Sequence, residues 1–196
     1  MAASERLEKA FELFDKANEQ DPNREEFQGK HYAKEVLYAI RMTHKLNAFA
    51  PTASEALQLT ARCQHICRWE IPRESYEMNR TGYLKWRQDL KKFHAAKAGA
   101  ILKEVGYDQK TIDTVAFLLE KKQLKKNEDT QTLEDVICLV FLEFYFEPFA
   151  KKYSEEKLID ILQKTWRKMS KNGQQAALKL SLSEVSLALV GKALKG

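Results

Sequence analysis

The sequence predicts an all-α fold, a single-domain bundle of about seven to eight helices. Only 7 Gly and 4 Pro occur among the 196 residues, which is too few for the turns of a sandwich, barrel or propeller. Hydrophobic residues make up 44% of the chain, enough to bury a core. Neither an internal repeat nor a linker interrupts the pattern. We therefore expect one domain over residues 1–196.

The first four helices are predicted from apolar residues at helical spacing between turn residues. One covers about residues 4–20, from a capping Ser to an Asp-Pro-Asn turn. The next, residues 32–49, ends before a Pro, and the third, residues 54–69, begins at a capping Ser. The fourth covers residues 82–105 and ends before a Gly, the residue that most often follows a helix.

The remaining helices are predicted in the same way. Residues 108–122 begin at a capping Asp and carry apolar residues at helical spacing. Residues 133–146 are apolar on all sides of the helical wheel, which indicates a helix in the middle of the domain. A seventh helix, residues 154–170, begins at a Ser and ends at an Asn-Gly pair, and an amphipathic segment, residues 183–194, follows.

No apolar stretch reaches the roughly 20 residues that a membrane-spanning helix needs. Even the most apolar run, residues 136–146, includes Glu143. The first six residues lack the apolar stretch of a signal peptide. We therefore expect a cytoplasmic protein without a membrane partner, and the sequence leaves the oligomeric state open.

Four ionisable side chains fall on apolar strips of four different predicted helices. Burial of such a group costs several kcal/mol unless something pairs with it, so these residues are candidates for function. Carboxylates and imidazoles that converge from several helices are how helical bundles build metal centres. Each residue also has a structural alternative, because a buried His is usually hydrogen-bonded and an Asp often caps its own helix. The predicted ligands of a divalent ion (Mn, Fe, Zn or Mg) are Glu35, His65, His94 and Asp135.

The order of these residues resembles the HD superfamily of metal-dependent phosphohydrolases, over about residues 32–146. Leu57–Ile66 is similar to the helix that ends in the His-Asp pair of that family, and residues 93–98 are similar to its later His helix. Glu134-Asp135 is similar to its final Asp. The resemblance implies an HD-like core and metal-dependent hydrolysis. Ile66 stands where the family has the Asp that bridges two metals, which puts a two-metal site in doubt.

A second resemblance, to a family of unknown function (DUF4202), covers nearly the whole chain. It implies family membership but no reaction. Neither a glycine-rich phosphate loop nor a nucleotide-binding βα unit accompanies it. The motifs that carry it are Asp21-Pro22-Asn23, Glu35–Met42, Gln64–Trp69, Ile71-Pro72-Arg73, Gly82–Arg87 and Leu133–Val136.

The positive charge is concentrated between Arg62 and Lys103. This segment has ten basic and four acidic residues, an excess of six, whereas the whole chain has a net charge of +5. The guanidinium group fits phosphate or carboxylate, although local ion pairs on a solvated face are the alternative. The predicted ligands of an anionic substrate are Arg68, Arg73, Arg80 and Arg87.

These observations favour a metal-dependent hydrolase of a small phosphorylated compound or nucleotide. In this prediction Glu70 or Glu134 transfers the proton. The alternative from another class is a non-catalytic helical module that binds RNA or another polyanion through the basic 62–103 face. A metal-dependent oxygenase ranks last, because Ile66 removes a bridging carboxylate.

Overall fold

The computed structural model describes residues 3–195, so residues 1, 2 and 196 of the predicted 1–196 domain lie outside the described part. The strands are β1 (Arg24–Phe27) and β2 (Lys30–Ala33). The helices are α1 (Ala3–Asn18), α2 (Lys34–Phe49), α3 (Glu55–Cys63), α4 (Arg80–Val105), α5 (Gln109–Leu119), α6 (Glu128–Val140), α7 (Phe146–Ala150), α8 (Glu155–Lys168), α9 (Lys171–Ala177) and α10 (Glu184–Lys195). A π turn, Phe141–Tyr145, joins α6 to α7. The prediction of an all-α class is confirmed.

The apolar α6 lies in the middle of the bundle, as its sequence predicts. It packs against α2, α3 and α5 on one side and against α8 and α9 on the other. Leu133 and Val136 are fully buried in a cluster with α2 and α3, while Leu139 belongs to a second cluster with α8 to α10. Within residues 3–195 no helix combines the length and the apolar character that crossing a membrane requires.

The predicted second helix begins later than expected, because the residues before it form a hairpin. In the antiparallel pair Arg24 lies opposite Ala33, and Phe27 lies opposite Lys30. The two connecting residues, Gln28 and Gly29, have φ values of +51° and +74°. Two successive residues with positive φ form a two-residue turn that matches the right-handed twist of the flanking strands.

The predicted seventh helix ends earlier than expected, and a further helix follows it. The Asn-Gly pair expected to end that helix lies inside α9 instead. Ser170 caps α9, because its Oγ accepts a hydrogen bond from the Gly173 N–H at 3.0 Å. The N-terminus of α9 thereby packs directly against α6.

Candidate functional site

A cavity of about 640 Å³ opens between α2, α4, α6 and α8, with the turn after α3 at its edge. The predicted site residues that line it are Glu35, His65, His94, Arg68, Arg87 and Glu134. The structure places the remaining predicted site residues, Asp135, Glu70, Arg73 and Arg80, elsewhere, as described below. The cavity is therefore the one place where most of the candidates meet.

Glu35 is held in the first turn of α2 by a residue from another part of the chain. The backbone N–H of Glu35 donates to Asp21 Oδ2 at 3.2 Å. The other oxygen of Asp21 accepts from the backbone N–H of Asn23 at 2.9 Å. Since Ala33 offers α2 no capping side chain, the buried Asp21 caps the helix by accepting this hydrogen bond. The Asp21-Pro22-Asn23 motif thus positions Glu35.

His65 lies in the turn after α3 and contacts three other cavity residues. Its ring stacks on Tyr38, with the centroids 4.0 Å apart and an interplanar angle of 11°. Its Nδ1 lies 3.3 Å from Glu35 Oε2, and its Nε2 lies 3.2 Å from Arg68 Nη1. A guanidinium group only donates, so we assign Nε2 as the acceptor and Nδ1–H as the donor to Glu35.

The ionisable groups at this end of the cavity have strongly displaced pKa values. Burial raises the pKa of Glu35 to about 7, although the charges of Arg68 and Lys34 act in the opposite direction. Burial, reinforced by Arg68, lowers the pKa of His65 well below its usual range. Near neutral pH, both forms of Glu35 are therefore available beside a neutral imidazole.

His94 lies on α4, with its ring centroid 6.0 Å from that of His65. The residue is 4% exposed, and its Nε2 is buried without a hydrogen-bond partner among the described residues. Burial, followed by the effects of His65 and Arg68, lowers its pKa to about 2. Buried polar atoms are nearly always paired, so this nitrogen identifies a polar position that lacks a partner within the described residues.

Glu35, His65 and His94 do not fit a resident metal ion in this arrangement. Among the described residues no group of three or more His, Cys, Asp or Glu side chains is placed to hold one. Both nitrogens of His65 already have partners, and the positive charge of Arg68 beside Nε2 repels a cation there. The predicted Mn, Fe, Zn or Mg ion therefore stays a prediction that the geometry does not support.

Asp135, the fourth predicted metal ligand, lies away from the other three and has its carboxylate bonded elsewhere. Its Oδ1 accepts from the backbone N–H of Ser170 at 2.7 Å and from Nε2 of Gln131 at 3.0 Å. Its Oδ2 accepts from the Ser170 hydroxyl at 2.5 Å. Asp135 therefore ties α6 to the N-terminus of α9, rather than joining Glu35 and the two histidines.

Glu134, its neighbour, lines the cavity and is paired with lysines. Its Oε2 accepts from Lys121 Nζ at 2.5 Å, and its Oε1 lies 3.8 Å from Lys168 Nζ. Burial by itself would raise the pKa of Glu134, but the positive charges of Lys121, Lys168 and Arg87 more than offset it, so the pKa is lowered. Glu134 is thus held as a carboxylate, which makes it a poor proton donor.

The four predicted anion-binding arginines divide into two groups. In the cavity, Arg68 bonds to His65 and lies 4.7 Å over the ring of Trp86. Arg87, also in the cavity, donates to the Tyr83 hydroxyl at 3.2 Å. These hydrogen-bond partners are neutral, so both guanidinium charges can attract an anion.

The other two arginines and Glu70 lie away from the cavity. Arg73 donates to three backbone carbonyl oxygens of residues 76–79 and holds the segment before α4. Arg80 is exposed at the start of α4. Glu70 accepts from Lys97 at 2.8 Å on the surface. For Arg73, Arg80 and Glu70 the predicted roles in substrate binding and proton transfer stay predictions that their positions outside the cavity do not favour.

Sequence reasoning missed several cations of the cavity. The sequence could have indicated Lys91, because Arg87, Lys91 and His94 follow helical spacing along one face of α4. Lys121 and Lys168 come from a loop and from the end of α8, and their position beside Glu134 arises only in the folded chain. The cations that line the cavity are Lys34, Arg68, Arg87, Lys91, Lys121 and Lys168, which we call the cationic half.

The fold and the cavity define an all-α protein with a small-molecule-sized site whose charged side chains are mostly cationic. The chain belongs to the family described as "Domain of unknown function (DUF4202)", whose model matches residues 8–190. This confirms the predicted family membership. No curated protein and no solved structure matches the chain. The comparisons thus give no support to the resemblance to the HD superfamily.

Proposed function

We propose that this protein binds a small phosphorylated compound in the cavity and hydrolyses its phosphate ester bond. The observation that carries the proposal is the charge of the cavity, where six cationic side chains line the same space as only two carboxylates, Glu35 and Glu134. A volume of about 640 Å³ is typical of a site for a small ligand. Phosphate is the common biological anion that such a cluster of guanidinium and ammonium groups fits.

Arg68 and Arg87 are the best placed groups to bind the phosphate. Trp86 fixes Arg68, since the ring lies under the guanidinium and its Nε1 donates to the Ile71 carbonyl at 2.9 Å. The Lys121 charge is partly neutralised by Glu134, whereas the two arginines bond to neutral groups. A bound phosphate therefore gains charge-assisted hydrogen bonds without breaking an existing ion pair.

Glu35 is the residue that we assign to proton transfer in hydrolysis. Water attacks phosphorus and loses a proton, the ester P–O bond breaks, and the leaving oxygen gains a proton. An acid with a pKa of about 7 can both give and take a proton at neutral pH, which general acid-base catalysis requires. His65 positions Glu35 through the contact at 3.3 Å. Of the two candidates predicted from the sequence, Glu134 is held as a carboxylate by Lys121, and Glu70 lies outside the cavity.

A binding experiment tests the first half of this proposal. Calorimetric titration of the purified chain at low salt should detect phosphate esters. Arg87→Gln should weaken their binding by about tenfold or more, the usual effect of losing a hydrogen bond between charged groups. Arg80→Gln is the matched control, because it removes the same charge from an exposed residue outside the cavity. Equal affinity in all three proteins, or no binding, would overturn the cavity proposal.

The same two variants separate this function from RNA binding through the 62–103 face. Several cations of that face are already engaged, since Arg62 pairs with Asp15, and Lys97 with Glu70. The geometry therefore favours the cavity over an extended surface. If RNA binds, small phosphates do not, and Arg80→Gln weakens RNA binding as much as Arg87→Gln does, the RNA-binding alternative replaces our proposal.

An activity screen tests the second half. Phosphate esters are incubated with the chain alone and with added Mn²⁺, Fe²⁺, Zn²⁺ or Mg²⁺, which also tests the predicted ion. We expect Glu35→Gln to abolish turnover while the ester still binds, and Glu70→Gln, a surface control, to remain active. An ester that binds but is not hydrolysed under any of these conditions would leave a binding protein and remove the enzymatic claim.

A further inference from the structure

One side of the cavity is apolar, in contrast to its cationic half. It is lined by partly exposed large side chains that run along the end of α6, the π turn, α7 and α8. Their partial exposure costs free energy, because apolar surface in contact with water is unfavourable. We call these residues, Ile137, Phe141, Tyr145, Phe149 and Ile161, the apolar arm.

The π turn keeps the apolar arm facing the cavity. Four members of the arm, from Ile137 to Phe149, are spaced four residues apart. In a regular α-helix each step of four residues rotates the side chain by roughly 40° about the axis, so such a stripe drifts away from one side. The wider π turn at Phe141–Tyr145 rotates the stripe back. π turns are rare and occur often at functional sites, which fits this arrangement.

Neighbouring rings hold the aromatic members of the arm in place. Phe141 meets Phe149 edge to face, with the centroids 5.8 Å apart, and Phe149 lies 4.5 Å from Tyr153. The Tyr145 hydroxyl accepts a hydrogen bond from the buried Arg41 at 2.8 Å. The arm is therefore a formed surface rather than a set of loose side chains, and binding to it costs little ordering entropy.

We propose that the ligand is a phosphate ester whose non-phosphate part is apolar and about the size of an aromatic ring system, and that this part occupies the apolar arm. This inference rests on the proposed function, because the cationic half must bind the phosphate. One molecule with both features matches the two halves of one cavity. A sugar phosphate matches poorly, since its hydroxyl groups lose their water beside Ile137 and Phe141 without gaining partners.

Three phosphonates that differ only in their organic part test the inference, since their C–P bonds resist hydrolysis during titration. They are methylphosphonate, 2,3-dihydroxypropylphosphonate and 1-naphthylmethylphosphonate. Calorimetry on the full chain should give an affinity for the naphthyl compound about tenfold or more above that of the other two, because it alone buries apolar surface in the arm.

Two isoleucines of α8 supply a matched pair of variants. Ile161 lines the cavity, whereas Ile159, also partly buried, packs against the C-terminal core. Ile161→Ser should weaken binding of the naphthyl compound by about fivefold and leave methylphosphonate unchanged. Ile159→Ser should change neither affinity. If Ile161→Ser unfolds, Ile137→Trp gives the same selective loss by filling the arm.

The outcomes separate this inference from the proposed function. If methylphosphonate and the naphthyl compound bind equally, or if Ile161→Ser and Ile137→Trp weaken both alike, the apolar arm has no role and the phosphate site stands. If none of the three compounds binds, the proposed function fails and the inference fails with it.

Discussion

Two regions that meet at α6 differ in how their key buried ionisable side chains are paired. In the first, which we call the α9 cap, Asp135 accepts hydrogen bonds from Gln131 and from both the backbone N–H and the hydroxyl of Ser170. In the second, the cavity wall, His94 Nε2 and Gln64 Oε1 are buried without partners among the described residues. Both carboxylate oxygens of Asp135 are thus satisfied, although Gln131 Oε1 beside them is also buried without a partner, whereas the cavity wall leaves an imidazole nitrogen and an amide oxygen unsatisfied.

This difference shows what separates a structural carboxylate from a candidate functional one. Asp135 and Glu35 are both buried on helices and both were predicted to bind a metal. Asp135 has its bonds completed within the fold, so it contributes to stability. Glu35 has a pKa raised to about 7 by burial and one imidazole beside it, so it is placed to exchange a proton.

The largest effect should come from breaking the α9 cap. Asp135→Ala leaves the partly buried Ser170 N–H and hydroxyl without their acceptor, and we expect it to lower the free energy of unfolding by about 3 kcal/mol. Urea denaturation measures this loss. Asp135→Asn, which retains an acceptor for the Ser170 N–H, should lose less. An unchanged stability of Asp135→Ala would show that the cap contributes nothing.

The buried histidines of the cavity wall should make the stability of the chain sensitive to acid. Burial lowers the pKa of His94 from 6.5 to about 2, so below pH 6.5 the unfolded chain takes up a proton that the native chain refuses. Stability therefore falls as the pH falls, and His65 acts in the same direction. Glu35, with a pKa raised from 4.5 to about 7, partly opposes this because its proton favours the native chain.

The variant His94→Gln isolates the His94 contribution to this acid sensitivity. When the pH falls from 6.5 to 4.5, the free energy of unfolding of His94→Gln should decrease by about 2 to 3 kcal/mol less than that of the natural chain. Urea denaturation at a series of pH values measures the difference. Parallel curves for the two proteins would mean that His94 does not remain neutral in the folded state.

A smaller effect is expected at Gly173, which packs against Asp135. A Cβ at this position would lie 2.6 Å from Asp135 Cγ, closer than such atoms approach. Gly173→Ala should therefore destabilise the chain by about 1 to 2 kcal/mol, measured by urea denaturation. The double variant Gly173→Ala with Asp135→Ala should lose less stability than the sum of the losses of the two single variants, because removing the Asp135 side chain also removes the clash. Strict additivity would contradict the contact.

Apolar periodicity predicted most of the helices because it reports directly which face is buried. It missed the hairpin at residues 24–33, because its strands are short and half of their residues are charged, and because its Gln-Gly turn is a weak signal. It also missed α9, because the Asn-Gly pair is a usual helix end and only Ser170 turns it into a capped start. The π turn has no pattern of its own in the sequence.

The candidate site was partly predictable from polar residues on apolar strips of the predicted helices. These strips identified Glu35 and His94 on α2 and α4, and also His65, although His65 lies in the turn after α3 rather than on the helix; the fold brings all three to one cavity. Both Glu134 and Asp135 were predicted as site residues, but the sequence could not show that only Glu134 lines the cavity, because the two are adjacent on α6. Packing of α9 and Lys121 decides which carboxylate faces the cavity.

The central claim is that the cavity binds a phosphorylated compound through Arg68 and Arg87. A crystal structure of the chain with bound 1-naphthylmethylphosphonate tests it most directly. We predict phosphonate oxygens within about 3.2 Å of guanidinium nitrogens of both arginines, with the naphthyl group against Phe141 and Ile161. A phosphonate bound on the outer surface, beside Arg80 for instance, with the cavity left to water, would contradict the account.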